Sequence, residues 1–220
     1  MLTSEDFKSL SGLDKHLVVS GLELSGMGSP RGLICGVGVV DVPYPVKPRL
    51  GKFQMECPSY RCWVSMLKRT FSEYEHVRNP TYIGVTVCND WLALSNYTKW
   101  WVENQVDGWH MDKDLLSDSK IYSPDTCLFV PPWLNAFTIG RGRDRGECPI
   151  GVSVVGKHFL ARVSDGVGGR TCLGVFDDPE EAHLAWKKKK LEMAFDRKTE
   201  MDRIDIRIYP RVVEIIGRAM

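Results

Sequence analysis

Three short strand-like runs followed by a strong helix start constrain the fold of this chain more than any other feature. The runs occupy residues 151–155, 159–164 and 171–176, and glycine-containing turns separate them. The segment DDPEE at 177–181 offers an acidic cap, a proline for the first helical turn and acids near the helix N-terminus. Together these signals predict a three-stranded antiparallel sheet packed on one helix.

A Gly/Arg-rich segment at 138–149 precedes this unit and predicts a linker. It carries Arg141, Arg143 and Arg145 among glycines, and such arginines can enter a DNA groove or follow the phosphate backbone. The net charge of the chain is only +1, but residues 140–220 carry 16 basic against 13 acidic side chains. This local excess of positive charge points to phosphate-bearing partners at the C-terminal end.

Residues 109–137 have a different pattern, which predicts a strand, a polar turn, a second strand and a helix. The second strand begins at 121, turns at 123–125 and continues to 130, and two prolines at 131 and 132 can open the helix. Asp112 ends the first strand and Asn135 lies on the helix. Both supply oxygen ligands, which suit Mg²⁺ or Mn²⁺, and such a cation can polarise a phosphodiester.

The region before residue 109 predicts helices around an aromatic core. Trp63, Met66, Leu67 and Phe71 recur at helical spacing and predict a helix over 60–74. A short strand at 85–88 and a second helix with several tryptophans follow. Residues 1–56 are rich in glycine and proline, and we interpret them as an arm with a short strand at 33–42.

The hydropathy pattern and the charge of the N-terminus bear on where the protein resides. No apolar run approaches the ~20 residues needed to span a bilayer. Acidic residues occupy the N-terminus, where a secretory signal carries basic ones. We therefore expect a cytoplasmic protein without a membrane partner.

Seven cysteines leave two readings open. One is a structural Zn²⁺ site built from Cys57, Cys62, Cys88 and Cys127, although their spacing lacks paired CxxC knuckles. The other, which we expect, is a set of reduced thiols that behave as small apolar side chains.

The segment 57–137 resembles the HNH (His-Me finger, ββα-metal) endonucleases of bacteriophages, including the homing enzymes of that group. The resembling stretches are CPSYRCWVSMLKR at 57–69, NPTY at 79–82, VTVCNDW at 85–91, MDKD at 111–114, YSPDTC at 122–127 and Asn135. The resemblance implies a ββα-metal unit that hydrolyses DNA phosphodiester bonds in the infected host cell. It also implies that Asp112 and Asn135 hold the divalent cation.

The motif departs from the family at two positions. Lys113 occupies the place of the general-base histidine, and Thr126 occupies the place of the asparagine that orients it. Lysine has an ordinary pKa of ~10.4, so it suits phosphate binding better than proton abstraction. His110 is an alternative base, because a strand would place it on one face with Asp112 and Asp114. The alternatives to a nuclease are a degenerate DNA-binding protein that keeps the scaffold and an inhibitor of a host factor.

Residues 150–195 resemble the ethylene-response-factor (Apetala) DNA-binding domain. The resembling stretches are GVS at 151–153, FLARV at 159–163, LGVF at 173–176, PEEA at 179–182 and AW at 185–186. The resemblance implies a sheet laid in the major groove of double-stranded DNA, with Lys157, His158, Arg162 and Arg170 facing the DNA. The lysine run 187–190, beginning with Lys187, is either a solvated helix face or an edge that contacts phosphates.

These inferences predict an α+β fold in five segments. They are an arm at 1–56, an HNH-like domain at 57–137, a linker at 138–149, an Apetala-type domain at 150–197 and an extension at 198–220. We expect no nucleotide cofactor.

Overall fold

The computed structural model describes residues 3–22, 32–138 and 148–219. The fold is mixed α+β, as predicted, and the chain divides into two compact units. The first unit comprises residues 1–113 with 119–129, and the second comprises 114–118 with 130–220. The helix that follows residue 131 is thereby grouped with the C-terminal sheet and not with the strands that precede it.

The first unit contains short strands among helices. Its elements are α1 (Ser4–Ser9), α2 (Gly12–Ser20), β1 (Arg49–Leu50), β2 (Phe53–Gln54), α3 (Pro58–Phe71), α4 (Glu73–Arg78), 3-10 turns at Pro80–Tyr82 and Asn89–Leu92, β3 (Thr86–Val87), α5 (Leu94–Asn104), β4 (His110–Asp112), β5 (Ile121–Tyr122) and β6 (Leu128–Val130). β1 pairs with β2 in antiparallel orientation, β3 pairs with β5 in parallel, and β4 pairs with β6.

The helix predicted over 60–74 is two helices. Ser72 has an extended backbone, which ends α3, and its side chain caps α4 by accepting a hydrogen bond from the Glu75 N–H at 3.5 Å. A serine favours such a cap over a helix interior because its hydroxyl can satisfy a free backbone N–H.

The aromatic stripes form the core of the first unit, as the spacing predicts. Trp63, Trp91 and Tyr97 are buried, and the Trp63 Nε1–H donates to the Trp91 carbonyl at 2.6 Å. The arm packs closely on this core, because a Cβ at Gly38 would lie 2.4 Å from Leu67 Cδ1. The strand predicted at 33–42 is reduced to isolated bridges, Ile34 with Gly38 and Val39 with Ala93.

The second strand predicted at 121–130 is split, and its halves have different partners. β5 joins β3 in parallel, whereas only β6 joins β4. The turn between β5 and β6 is held by Thr126, whose Oγ1 donates to the Ile121 carbonyl at 2.7 Å and accepts from the Ser123 N–H at 3.1 Å. Side-chain bonds of this kind compete with strand pairing, which explains why the strand does not run through.

The second unit contains the predicted three-stranded antiparallel sheet packed on one helix. Its elements are α6 (Pro132–Thr138), β7 (Val152–Val155), β8 (His158–Ser164), β9 (Arg170–Phe176), α7 (Pro179–Asp196), α8 (Lys198–Ile204) and α9 (Ile208–Arg218). The strand order is β7-β8-β9. Asp178 caps α7 by accepting from the Glu181 N–H at 3.2 Å, as the acidic cap predicts.

The C-terminal segment, left as strand or helix by its sequence, forms α8 and α9. Met201, Ile208 and Val212 are fully buried, and α9 packs against α7. Asp118, in the short piece 114–118, forms ion pairs with Arg211 and Arg218 of α9. Within the described ranges, no helix is long and apolar enough to cross a membrane.

Candidate nucleic-acid interface

The three-stranded sheet has one face against α7 and one face turned away from it. Phe159 and Ala161 of β8 pack with Ala182 of α7, which assigns their side of the sheet to the core. The alternate positions of β8 face the other way, and the strand register places Arg162 beside Cys172 and Ser164 beside Arg170. These four residues are exposed, whereas Leu160 on the same side of β8 is buried, so the second face is open around Arg162 and Arg170.

Two arginines dominate the charge of this open face. Arg162 and Arg170 are exposed, and neither side chain makes a hydrogen bond or ion pair with another residue that the structure describes. His158, at the start of β8, lies with its Nδ1 2.6 Å from Asp177 Oδ1, so part of its hydrogen-bonding capacity is used. Lys157 is exposed in the turn between β7 and β8. The open face therefore offers Arg162 on its central strand, Arg170 at the start of an edge strand and Lys157 in a turn at its margin.

The turn before Arg170 is fixed by a single carboxylate. Asp165 Oδ1 accepts from the Val167 N–H at 2.9 Å and from the Gly169 N–H at 2.8 Å. These backbone hydrogen bonds lower the pKa of Asp165 because they favour its charged form. The β8–β9 connection is thus ordered, and it sets where β9 begins.

The lysine run at 187–190 is not one surface. Lys190 is only 5% exposed, and its Nζ donates to the Ser164 carbonyl at 2.9 Å and lies 3.5 Å from the centroid of the Phe137 ring. Lys190 therefore belongs neither to a solvated helix face nor to an edge that contacts phosphates, the two alternatives that the sequence left open. Lys189 pairs with Glu192 at 3.1 Å, whereas Lys187 is half-buried and Lys188 is exposed. Only part of the run therefore remains available for phosphates.

The HNH-like residues lie at the end of β4. His110 is exposed and Asp112 is half-buried, and both belong to the strand. Lys113 follows it and is only 5% exposed, with its Nζ 5.6 Å from the centroid of the Tyr122 ring. Asp114 lies beyond the strand, so strand alternation extends over His110 and Asp112 alone. The hydroxyl of Thr126 is engaged by the turn it closes.

The predicted metal ligands belong to different compact units. Asp112 lies in the first unit, and Asn135, half-buried on α6, lies in the second. Among the residues that the structure describes, no group of three or more His, Cys, Asp or Glu side chains could hold a metal ion. Asp112 supplies a carboxylate oxygen and Asn135 an amide oxygen, and both are donor types that suit Mg²⁺.

Each of the seven cysteines is a free thiol. Cys57 is buried, and its Sγ lies 3.2 Å from both His16 Nδ1 and Ser59 Oγ. Burial raises the pKa of Cys127 to about 12, so its thiol stays protonated at neutral pH. Cys57 and Cys127, both within the HNH-like segment, are therefore interior groups.

A basic pocket in the first unit was not predicted from the sequence. The pocket has a volume of about 440 Å³ and is lined by Lys47, Glu56, Arg61, Val64, Ser65, Lys68, Arg69, Glu75, Asn79 and Tyr82. The signal was present in α3, where Arg61, Ser65 and Lys68 recur at helical spacing opposite the apolar stripe. These side chains lie off the apolar stripe from which the helix was predicted.

Comparison with protein-family models, with curated proteins and with solved structures finds no significant match. Arg141, Arg143 and Arg145 lie outside the described residues.

Proposed function

We propose that this chain is a double-stranded-DNA-binding protein that reads DNA with the open face of β7–β9. The supporting observation is the placement of Arg162 and Arg170. They are exposed on the face turned away from α7, and their guanidinium groups are not used within the described structure. On this proposal the protein acts in the cytoplasm of a phage-infected cell.

The chemistry of this face fits base recognition. The major groove is wide enough, at about 12 Å, to admit strands, and arginine is suited to bidentate contacts with guanine. Lys157, in the turn at the edge of the sheet, would contact phosphates, and such contacts fix the register of the protein but do not read sequence. The side chain of His158 would contribute less, because Asp177 already engages it.

Replacing Arg162 with alanine tests this proposal. Arg162→Ala should weaken binding to the preferred duplex by ~1–3 kcal/mol, the value of one good bidentate base contact, and should weaken non-specific binding less. The preferred duplex would come from selection with the wild-type protein, and affinities from fluorescence anisotropy at fixed salt.

Arg203→Ala is the matched control, since it removes one exposed arginine of the same unit from α8. Equal losses in the two variants, or no duplex binding by the wild-type protein, would contradict the proposal.

Metal-dependent hydrolysis of DNA is the second candidate. It is favoured by one observation: β4 and β6 form a two-stranded sheet, and α6 follows β6 directly, which is the order of a ββα unit. In this candidate Asp112, at the end of β4, would bind Mg²⁺ or Mn²⁺, and the bound cation would polarise the scissile phosphodiester. The burial of Lys113 leaves exposed His110 as the better candidate for a base.

Nicking of supercoiled DNA in Mg²⁺ or Mn²⁺ tests the second candidate. Asp112→Asn should abolish nicking while duplex affinity stays near wild type, since affinity comes from the sheet. His110→Ala should slow nicking by ~100-fold or more, the usual loss when a general base is removed. If the wild-type protein binds duplex DNA but does not nick it in either metal, the nuclease candidate is contradicted and only the DNA-binding proposal remains.

A further inference from the structure

We infer that the basic pocket of the first unit binds a phosphate group, and that the source of this group is the backbone of the bound DNA. This second part rests on the proposed function. The pocket belongs entirely to the first unit, and the proposed reading surface belongs to the second. Each unit would then carry its own contact with DNA.

The shape of the pocket comes from α3 and the segment after it. Arg61, Ser65 and Lys68 lie at positions i, i+4 and i+7 of α3, so they share one side of the helix. Asn79 and Tyr82 close the pocket from the segment that follows α4. The only aliphatic lining residue is Val64, so the pocket does not suit an apolar ligand.

The charge balance of the pocket favours an anion. Lys47 and Glu56 form an ion pair at 2.8 Å and neutralise each other. Three cations, Arg61, Lys68 and Arg69, then face one remaining carboxylate, that of Glu75. A concave surface with excess positive charge concentrates its field and attracts anions.

Two of these cations have unused donors. Arg61 and Lys68 are exposed, and their side chains make no hydrogen bond or ion pair with other described residues. Arg69 is half-buried and oriented by Tyr82, with its guanidinium carbon 5.8 Å from the ring centroid. Ammonium and guanidinium groups that line one pocket can form charge-assisted hydrogen bonds with the oxygens of a phosphate.

Neutral groups complete the set of donors. The Ser65 hydroxyl and the Asn79 side-chain amide line the same pocket. Hydroxyl and amide donors are common in phosphate contacts beside arginine and lysine. A phosphate with several free oxygens can use more of these donors than a carboxylate can, which is why we assign a phosphate.

The salt dependence of DNA binding tests the inference with the full chain. The pocket variant carries Arg61→Gln and Lys68→Gln, and Arg69 is kept because it packs on Tyr82. The control variant carries Lys52→Gln and Lys99→Gln, two exposed lysines of the first unit outside the pocket. If the pocket neutralises one backbone phosphate, the slope of log K against log[salt] in the pocket variant should become shallower by ~0.9, the value for one phosphate contact. The control slope should stay at the wild-type value.

Titration with inorganic pyrophosphate separates failure of this inference from failure of the proposed function. NMR of arginine Nε–Hε groups should show shifts at Arg61 and Arg69 in the wild-type protein, and the Arg69 shift should be lost in the pocket variant. A response to pyrophosphate without a specific change in the DNA slope would support the phosphate site and overturn DNA as its source. No response to pyrophosphate, together with equal slopes in the pocket and control variants, would overturn the inference altogether.

Discussion

Lys190 holds its ammonium group in the interior of the second unit, although it ends a run of four lysines. Its Nζ is bound by the Ser164 carbonyl and lies over the Phe137 ring. Burial, and to a lesser degree the nearby charge of Arg197, lower the pKa of this lysine to about 8. In the sequence the four lysines look alike, because the groups that distinguish Lys190 come from distant parts of the chain.

The pH dependence of stability should reveal this buried lysine. An unfolded lysine titrates near ~10.4, so the unfolded chain binds more protons than the folded chain between pH 8 and that value. The contribution of Lys190 to the free energy of unfolding therefore rises with pH across this interval and is constant below it. Urea unfolding of the wild type and Lys190→Met at pH 7.5, 8.5 and 9.5 should show the wild type gaining relative to the variant.

Lys188→Met controls for the loss of one charge from the same helix, because Lys188 is exposed. Groups with raised pKa values, such as Cys127, titrate in all three proteins and cancel in the comparison. Parallel pH profiles for the wild type and Lys190→Met would show that the ammonium group is not buried.

At the scale of elements, local signals predicted the second unit better than the first. The sheet β7–β9 and helix α7 follow from glycine turns and from a cap at Asp178, all read within a few residues. The parallel pair β3–β5 joins Thr86 to Ile121, and no local pattern encodes such a distant partner. The basic pocket is only partly encoded locally, because three of its cations recur on α3 whereas its remaining lining residues outside α3 lie before and after that helix. The sequence alone could not predict which strands pair, or which side chains line a pocket together, when the residues involved lie in different elements.

The β8–β9 turn depends on glycine at residue 166. Gly166 has φ of +83°, and a Cβ there would lie 2.5 Å from the Trp133 carbonyl oxygen. Gly166→Ala should therefore destabilise the second unit by ~1–3 kcal/mol from backbone strain, and the clash should add to this. The midpoint of urea unfolding measures the loss.

Gly168→Ala isolates the strain from the clash. Gly168 also has positive φ, +106°, but a Cβ there would meet nothing within 4 Å. We expect a smaller loss of stability than for Gly166→Ala. Equal losses would mean that the close approach to Trp133 contributes nothing.

At the scale of the whole molecule, the chain passes between the two units more than once. Residues 114–118 belong to the second unit although first-unit residues flank them on both sides. Asp118 explains this grouping, since Arg211 and Arg218 both pair with it and lower its pKa to about 2. The second unit is therefore more than the segment that follows the Gly/Arg-rich linker.

Fragments of the second unit test whether α6 is an integral part of it. The guanidinium carbon of Arg197, which follows α7, lies 4.5 Å from the centroid of the Trp133 ring. The Nζ of Lys190, within α7, lies 3.5 Å from the centroid of the Phe137 ring. Two aromatic rings of α6 therefore cover these two cations. Leu134 and Phe137 are buried.

Fragment 130–220 should therefore be more stable than fragment 148–220, by on the order of 3 kcal/mol, the cost of losing one large buried apolar side chain. Urea midpoints of the two fragments measure this difference, and Phe137→Ala in the longer fragment should remove most of it. Equal midpoints would place the domain edge at the linker 138–149, where the sequence predicts it.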